Sequence, residues 1–389
     1  MVYKRNITQE ILTLAKSYPI VSILGPRQSG KTTLVRSIFP DKKYANLELP
    51  DIREFAIQDP RGFLNNYKDG AIFDEVQRVP QLLSYLQVDV DENKKFGKYI
   101  LTGSHQFELH KAISQSLAGR TALLTLMPMT INELSNAKIN LTLDEYLLNG
   151  FFPRIYSDKL DSTKAYRNYL HTYVERDVHQ LVNLKDIRLF HKFVTLCAGR
   201  IGQVLNKENL ANEVGVSSIT IGNWLSILEA SFIIFLLPPY FENFGKRVIK
   251  SPKLYFTDVG LASYLLGITN INQISRDPLR GFLVENLVVL ELMKTRLNQG
   301  ADPNLYYYRD NHKNEVDIIY KSASKLVAVE IKSAQTFNSD FIKGLHYYQN
   351  LVQDKLSKQY LVYDGEYEQT VKNVEVINYK QSAKIVDPT

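Results

Sequence analysis

Eight residues near the start of the chain, Gly25, Pro26, Arg27, Gln28, Ser29, Gly30, Lys31 and Thr32, have the spacing G-x-x-x-x-G-K-[ST] of a phosphate-binding loop. In such a loop successive backbone N–H groups and the first turn of the following helix converge on one anionic point. A lysine at the seventh position holds the β and γ phosphates of a nucleoside triphosphate, and a hydroxyl at the eighth ligates magnesium. Lys31 and Thr32 stand there, and Thr33 opens the helix that should follow. The apolar run Ile20 to Leu24 supplies the strand that must lead in. ATP and Mg2+ are the expected ligands.

A second constellation belongs to the same chemistry. Ala71-Ile72-Phe73-Asp74-Glu75 is an apolar strand ending in two acids and looks like a Walker B strand. Beside the loop, Asp74 would hold the metal and Glu75 would orient and deprotonate the attacking water. Tyr99 to Ser104 is another apolar strand ending in hydroxyls, so Ser104 or Thr102 could touch the γ-phosphate or the water; a serine capping a helix is the alternative reading. Arg120 precedes the apolar stretch Thr121 to Met127 and could steady charge on the γ-phosphate, within its own chain or from a neighbouring subunit. A plain surface arginine is the alternative.

The last third carries acids of another kind. Three strands are expected at Leu305 to Arg309, Glu315 to Tyr320 and Leu326 to Lys332, after a long helix opened by Gly281 to Asn286. Side chains alternate along a strand, so Glu315 and Asp317 share a face, as do Glu330 and Lys332. Asp317 followed by Glu330-Ile331-Lys332 is the D-x(n)-E-x-K arrangement of PD-(D/E)xK nucleases, with Glu285 in the place of their helical acid. Asp317 and Glu330 would fix a hard cation, and Lys332 would orient water or stabilise charge. A salt-bridged structural cluster is the competing reading.

These residues need a frame. Five strands alternating with helices up to about residue 135 predict a parallel sheet covered on both faces, with ligands at the strands' C-terminal ends. Helical spacing is expected over Thr142 to Asn149 and Thr163 to Leu184, with Tyr166, Leu170, Tyr173 and Val174 on one stripe. Asn206 to Ala211, a turn at Gly215, and Ser217 before an apolar-periodic stretch predict a helix-turn-helix. Ile233 to Leu237 and Lys253 to Phe256 would form the wing. The second of those helices has no lysine or arginine, so phosphate contact is expected from Lys246, Arg247, Lys250 and Lys253 in the wing. The fold class is α/β with four segments: a P-loop domain over 1–138, a helical linker over 139–185, a winged-helix-like domain over 186–257 and a nuclease-like domain over 258–389.

Composition sets the limits. A chain of 389 residues needs more than one core. With 44 % hydrophobic and 23 % charged residues it reads as an ordinary globular protein, neither disordered nor fibrous. The single cysteine, Cys197, leaves no intrachain disulfide and no cysteine-rich zinc site, and no stretch reaches the about 20 apolar residues of a membrane span. A cytoplasmic location without membrane partners is expected. The net charge of +6 permits, without requiring, a nucleic-acid partner.

Over nearly its whole length the chain resembles a prokaryotic family of AAA-type ATPases fused to a C-terminal domain long labelled as of unknown function. The matching pieces are Gly25 to Leu34, Asp74 to Gln77, Leu101 to Ser104, Ser116 to Arg120, Lys253 to Asp258, Glu315 to Asp317 and Glu330 to Lys332. The resemblance implies ATP hydrolysis, a winged-helix middle and a restriction-endonuclease-like C-terminal fold. The nuclease label's proline is absent, since Val316 precedes Asp317. Together these readings give a Mg2+-dependent ATPase, a possible homo-oligomer, acting on or regulated by DNA, with a nuclease-like module. The rival is a nucleotide-gated switch or scaffold whose C-terminal domain binds without cutting.

Overall fold

The computed structural model describes residues 2–104, 116–174, 187–241 and 249–387. Its first sheet contains β1 (Ile20–Leu24), β2 (Lys43–Asn46), β3 (Ala71–Asp74), β4 (Tyr99–Gly103) and β5 (Thr121–Thr125), all parallel, in the order β2-β3-β4-β1-β5. The central strands read as unbroken apolar runs because both faces are covered. Alternate residues of β1 feed two cores: Val21 and Ile23 pack with Ile7, Leu34 and Val35, while Ile20 and Leu24 join Phe73, Tyr99 and Leu101. The five expected strands are present, and β4 separates β1 from β3. The phosphate loop and the two acids therefore emerge at one edge of the sheet, two strands or about 10 Å apart.

In the middle of the chain the helices Leu143–Asn149, Pro153–Ser157 and Ser162–Tyr169 are followed by a π-helical turn, Leu170–Val174. The rest of the helix expected to reach Leu184 lies outside the described residues, as do Lys246 and Arg247. Helices Lys207–Val214 and Ser218–Ala230 meet at Gly215, and the Ser217 hydroxyl caps the second by accepting from Thr220 N at 3.1 Å. Trp224 anchors the pair, its ring lying 5.5 and 5.3 Å from those of Phe190 and Phe193. Strands β6 (Ile234–Leu237) and β7 (Lys253–Phe256) pair antiparallel, as the wing reading expects. One expectation fails: Lys253 is only 1 % exposed and is unavailable to a phosphate backbone. Its ammonium points at the carboxylates of the C-terminal sheet, where charge pairing outweighs solvation.

That sheet is larger than the sequence led us to expect. Its strands are β8 (Leu305–Arg309), β9 (Glu315–Ser322), β10 (Lys325–Lys332), β11 (Leu356–Tyr363), β12 (Gln369–Val371) and β13 (Val374–Asn378), in the order β12-β13-β11-β10-β9-β8. β8, β9 and β10 form an antiparallel meander, and helix Lys343–Val352 carries the chain across to β11, parallel to β10. Before them runs the long helix Arg280–Asn298, buried over almost every residue from Leu283 to Leu292. A helix apolar all round belongs inside a protein. Here it also carries the buried polar residues Glu285, Asn286, Glu291 and Lys294. Among the described residues no helix is long and apolar enough to cross a membrane.

Asp258 joins the middle helices to the helix beyond β7. Its carboxylate accepts from Tyr166 Oη at 2.6 Å, Phe151 N at 2.8 Å, Gly260 N at 2.9 Å and Leu261 N at 3.3 Å, capping the helix Val259–Leu265. Burial pushes the Asp258 carboxyl up, and these donors pull it back. Replacing it with alanine leaves several buried donors unpaired, each worth about 1–3 kcal/mol. Asp258→Ala is expected to lower stability by about 3–5 kcal/mol and Tyr166→Phe by about 1 kcal/mol, read from urea unfolding followed by circular dichroism.

Candidate functional site

The phosphate loop is held by backbone geometry that only glycine supplies. Gly25 has φ +147°, and a Cβ there would lie 2.1 Å from the Leu126 carbonyl oxygen; Gly30, at φ +94°, turns the chain into the helix Lys31–Ile38. Within the loop Lys31 is 5 % exposed, and its ammonium donates to the carbonyls of Gly25 and Pro26, both at 2.8 Å. Burial pushes the Lys31 amine down to about 8, opposed by Glu75 and Asp74 and helped by Arg27. Arg5 braces the loop from behind: it donates to Ser29 O at 2.8 Å and Met127 O at 2.6 Å, and pairs with Glu133 at 3.0 Å.

Asp74 is the centre of a hydroxyl web. One carboxylate oxygen accepts from Thr32 Oγ1 at 2.8 Å and from Tyr44 Oη at 2.7 Å; the other accepts from Thr102 Oγ1 on the intervening strand β4. Thr32 and Asp74, drawn together from β1 and β3, are the hydroxyl–carboxylate pair that a hydrated Mg2+ beside a triphosphate requires, so the residues fit the metal. Glu75 follows in a left-handed conformation, φ 57°, which turns its side chain towards Ser104. Ser104 Oγ donates to Glu75 Oε2 at 2.9 Å, and Gln77 Nε2 donates to both. Both hydroxyls considered for this strand end are thus engaged: Thr102 with the metal-side acid, Ser104 with the water-side acid.

A cavity of about 410 Å³ opens in front of this array, bordered by Arg27, Lys31, Thr32 and Glu75 and, on its far side, by Tyr3 and Arg154. Small-molecule pockets run from ~300 to 1,000 Å³. Arg120 is not part of it. Its carbonyl accepts from Ile20 N at 3.2 Å, at the opening of β1, and its guanidinium pairs with Asp91 at 2.6 Å. That is the end of the sheet opposite the loop, so the reading of Arg120 as a phosphate contact within its own chain does not hold.

Tyr44 and Arg5 escape a reading of the sequence alone. Tyr44 sits one strand beyond Asp74 on β2, and no local pattern ties a tyrosine to a carboxylate in a strand 30 residues away. For Gln77 the signal is present, because it follows the two acids directly.

The C-terminal acids converge as their alternation along the strands requires, but around a lysine. Lys253 Nζ lies 2.7 Å from Glu285, 2.6 Å from Glu315 and 3.9 Å from Asp317. Tyr255, two residues on and on the same face of β7, donates to Glu285 Oε1 at 2.5 Å. Asp317 accepts from Ile331 N at 2.8 Å, and Lys332 pairs with Glu330 at 2.5 Å. Burial alone would strip the Lys253 proton; Tyr255 and the carboxylates of Glu285, Asp317 and Glu315 outweigh it and keep the ammonium charged. Burial pushes Glu285 up to about 7, with Lys253 opposing, and Glu330 up to about 8, with Asp317 adding to burial. Glu330 Oε2 is buried without a hydrogen-bond partner.

That orphaned oxygen is where a cation would bind, yet with Lys253 in place the set does not fit one. Among the described residues no three His, Cys, Asp or Glu side chains are arranged to hold a metal ion. The reading of Asp317 and Glu330 as metal ligands is therefore corrected for this arrangement: an ammonium supplies the positive charge. Two residues outside the D-x(n)-E-x-K spacing decide the matter, Lys253 from the wing strand and Glu315 from the same face of β9 as Asp317.

Comparison with known proteins divides the chain into the same three parts. Residues 17–135 match the family described as an AAA domain, 140–272 a domain of unknown function (DUF8612) and 280–381 a second domain of unknown function (DUF4143). An uncharacterised protein of Mycobacterium tuberculosis is 28 % identical over 370 residues, covering 94 % of this chain and 81 % of that protein. An uncharacterised protein of Methanocaldococcus jannaschii is 24 % identical over 331 residues, covering 70 % of this chain and 67 % of that one. Among solved structures, the Walker-type ATPase of Pyrococcus abyssi aligns at 14 % identity with a TM-score of 0.47, over 68 % of this chain and 96 % of that one. DnaA from Aquifex aeolicus, bound to AMPPCP, aligns at 16 % identity with a TM-score of 0.31, over 59 % and 89 %. Both scores are too low to argue from. The loop, the parallel sheet and the match over residues 17–135 make the N-terminal part of this chain an AAA-type P-loop domain.

Proposed function

We propose that this protein is a Mg2+-dependent ATPase whose nucleotide state repositions its middle and C-terminal parts on DNA. The observation that carries the reading is the Thr32–Asp74 contact at 2.8 Å, directly in front of Lys31. When bound, Mg2+ neutralises charge shared between the β and γ phosphates. The chain's own residues do the rest. Lys31 leaves the Gly25 and Pro26 carbonyls for phosphate oxygens, and the loop amides replace them. Thr32 and Asp74 hold the metal's position, with Thr102 and Tyr44 fixing the Asp74 rotamer. Glu75, aimed by Ser104 and Gln77, takes a proton from the attacking water.

For the C-terminal module the nuclease-like reading is supported by helix Arg280–Asn298, the β8–β10 meander, the crossover to β11 and the D-x(n)-E-x-K spacing. Lys253 favours the second reading, in which this module binds nucleic acid or a partner without cutting. No cleavage step can be drawn through carboxylates that a lysine already neutralises.

Three outcomes are expected. Glu75→Gln keeps Mg·ATP binding and lowers turnover by about 10²–10⁴-fold in a phosphate-release assay, whereas Lys31→Ala loses binding; full turnover by Glu75→Gln ends its assignment as base. Phosphate binding requires the charged Lys31 ammonium, and its proton is already in place below pH 8. Affinity for Mg·ATP should be flat below that point and fall by up to about tenfold per pH unit above it, a slope that Lys31→Met removes in a fluorescent-nucleotide titration. Supercoiled plasmid incubated with the unmodified protein and Mn2+ is expected to stay intact. Nicking that disappears in Glu330→Ala and Lys332→Ala would restore the nuclease.

A further inference from the structure

The acid cluster of the C-terminal sheet has an occupant that comes from outside that sheet. Lys253 belongs to β7, which pairs with β6 in the middle of the chain, and no residue of β8–β13 supplies a cation so deeply placed. Its Nζ touches carboxylates from two different elements, Glu285 on the long helix and Glu315 on β9, and faces Asp317 at 3.9 Å. On the far side Glu330 presents a buried oxygen with no donor, 3.6 Å from where a Cβ on Gly344 would sit. Four carboxyls and one orphaned acceptor around a single point are more negative charge than a lysine pair needs.

The cover over this point is also borrowed. A Cβ added at Gly202 would lie 2.7 Å from the Phe282 ring and 3.4 Å from Glu285 Oε2, so the turn holding Gly202 sits directly on the opening turns of the long helix. Gly202 N donates to Leu254 O at 2.8 Å, and Leu254 N donates to Gln203 O at 3.1 Å. The turn and β7 therefore move as one piece. Withdrawing that piece removes Lys253, Tyr255 and the cover together, and leaves Glu285, Glu315, Asp317 and Glu330 exposed to solvent without their principal countercharge. Oxygen ligands of that number and hardness suit Mg2+ or Mn2+.

We propose that the Lys253 ammonium is the resident cation of this site, held in the place of a divalent metal ion, so that metal and β7 occupy the cluster in alternation. Metal entry then requires the middle of the chain to lift from the C-terminal sheet, and metal binding holds it lifted. The inference concerns cation exchange alone and holds whether or not the module cuts nucleic acid.

The test is Mn2+ binding to the full chain without nucleotide, followed by electron paramagnetic resonance of the free ion. The unmodified protein is expected to show no Mn2+ site that Glu330→Gln removes. Lys253→Met should gain one such site, lost again in Lys253→Met/Glu330→Gln. Its melting temperature should be depressed in EDTA and recover with Mn2+, a rescue that simple loss of packing would not show. Lys253→Met/Glu315→Gln, which removes one charge of each sign, is the fallback should the single variant not fold, and it too should gain an Mn2+ site dependent on Glu330. The proposal is overturned by a Glu330-dependent Mn2+ site in the unmodified protein, which would mean metal and lysine coexist. It is equally overturned by folded Lys253 variants that bind no more Mn2+ than the unmodified protein.

Discussion

A charge removed from water must find its partner inside the protein, and in this chain the partners are recruited from other parts of the molecule. Arg5, before the first strand, is paired by Glu133 beyond the fifth and reaches the phosphate loop through Ser29 O. Lys294 and Glu291 on the long helix pair with each other at 3.1 Å and bond Met129 O and Ile131 N, both in the segment that leaves the first sheet. Lys253 is answered by Glu285 and Glu315, and Asp258 by Tyr166 and three backbone amides. Removing one member of a buried pair costs about 3–5 kcal/mol because the other is left charged and unsolvated. Such contacts fix how the three matched regions sit on one another more firmly than an apolar seam would, since an apolar seam tolerates sliding.

The segment Lys253 to Asp258 concentrates this logic in six residues. As a strand it points Lys253 and Tyr255 to one side, into the acid cluster. The backbone of Phe256 exchanges two hydrogen bonds with the Asn286 side chain, at 2.8 and 2.9 Å, which seats β7 on the long helix. Thr257 Oγ1 donates back to Phe232 O, and Asp258 caps the next helix while holding Phe151. A stretch whose sequence looks like half of a DNA-contacting wing is the place where the middle of the chain is fastened to both of its neighbours.

The phosphate chemistry is legible in the sequence because it is local. Loop, strand and helix follow one another without interruption from Ile20, and the two acids close their own strand. Residues that serve the site from a distance are not legible. Tyr44 reaches Asp74 only because β2 lies beside β3, and Arg5 reaches Ser29 only because the N-terminal segment folds back over the loop. Strand alternation brings the C-terminal acids to one face as expected. What it cannot give is the neighbour opposite that face, since Lys253 is 32 residues from Glu285 and 62 from Glu315, numbers set by packing and by no periodicity. Arg120 shows the reverse error: closeness in sequence to a strand of the right sheet says nothing about which end of that strand a residue occupies.

Two lysines hold the two sites in comparable states. Lys31 rests on carbonyls of its own loop, contacts that a phosphate would replace with better ones. Lys253 rests on carboxylates that a metal ion could take from it. Each is a buried cation with two possible sets of partners, which is what a two-state element requires. Between them runs an unbroken chain of contacts: Ser29 to Arg5, Arg5 to Met127, then Met129 and Ile131 to Lys294 and Glu291, and along the long helix to Glu285. From Glu291 to Glu285 is six residues, about 9 Å of helix. A rigid helix cannot absorb a shift at one end without passing it to the other, so a loop rearranged around phosphate bears on the helix that carries half of the Lys253 pairing. Contiguity alone does not make a switch. The stronger argument is that neither lysine can leave its present partners halfway, because a buried charge between two partner sets is less stable than in either.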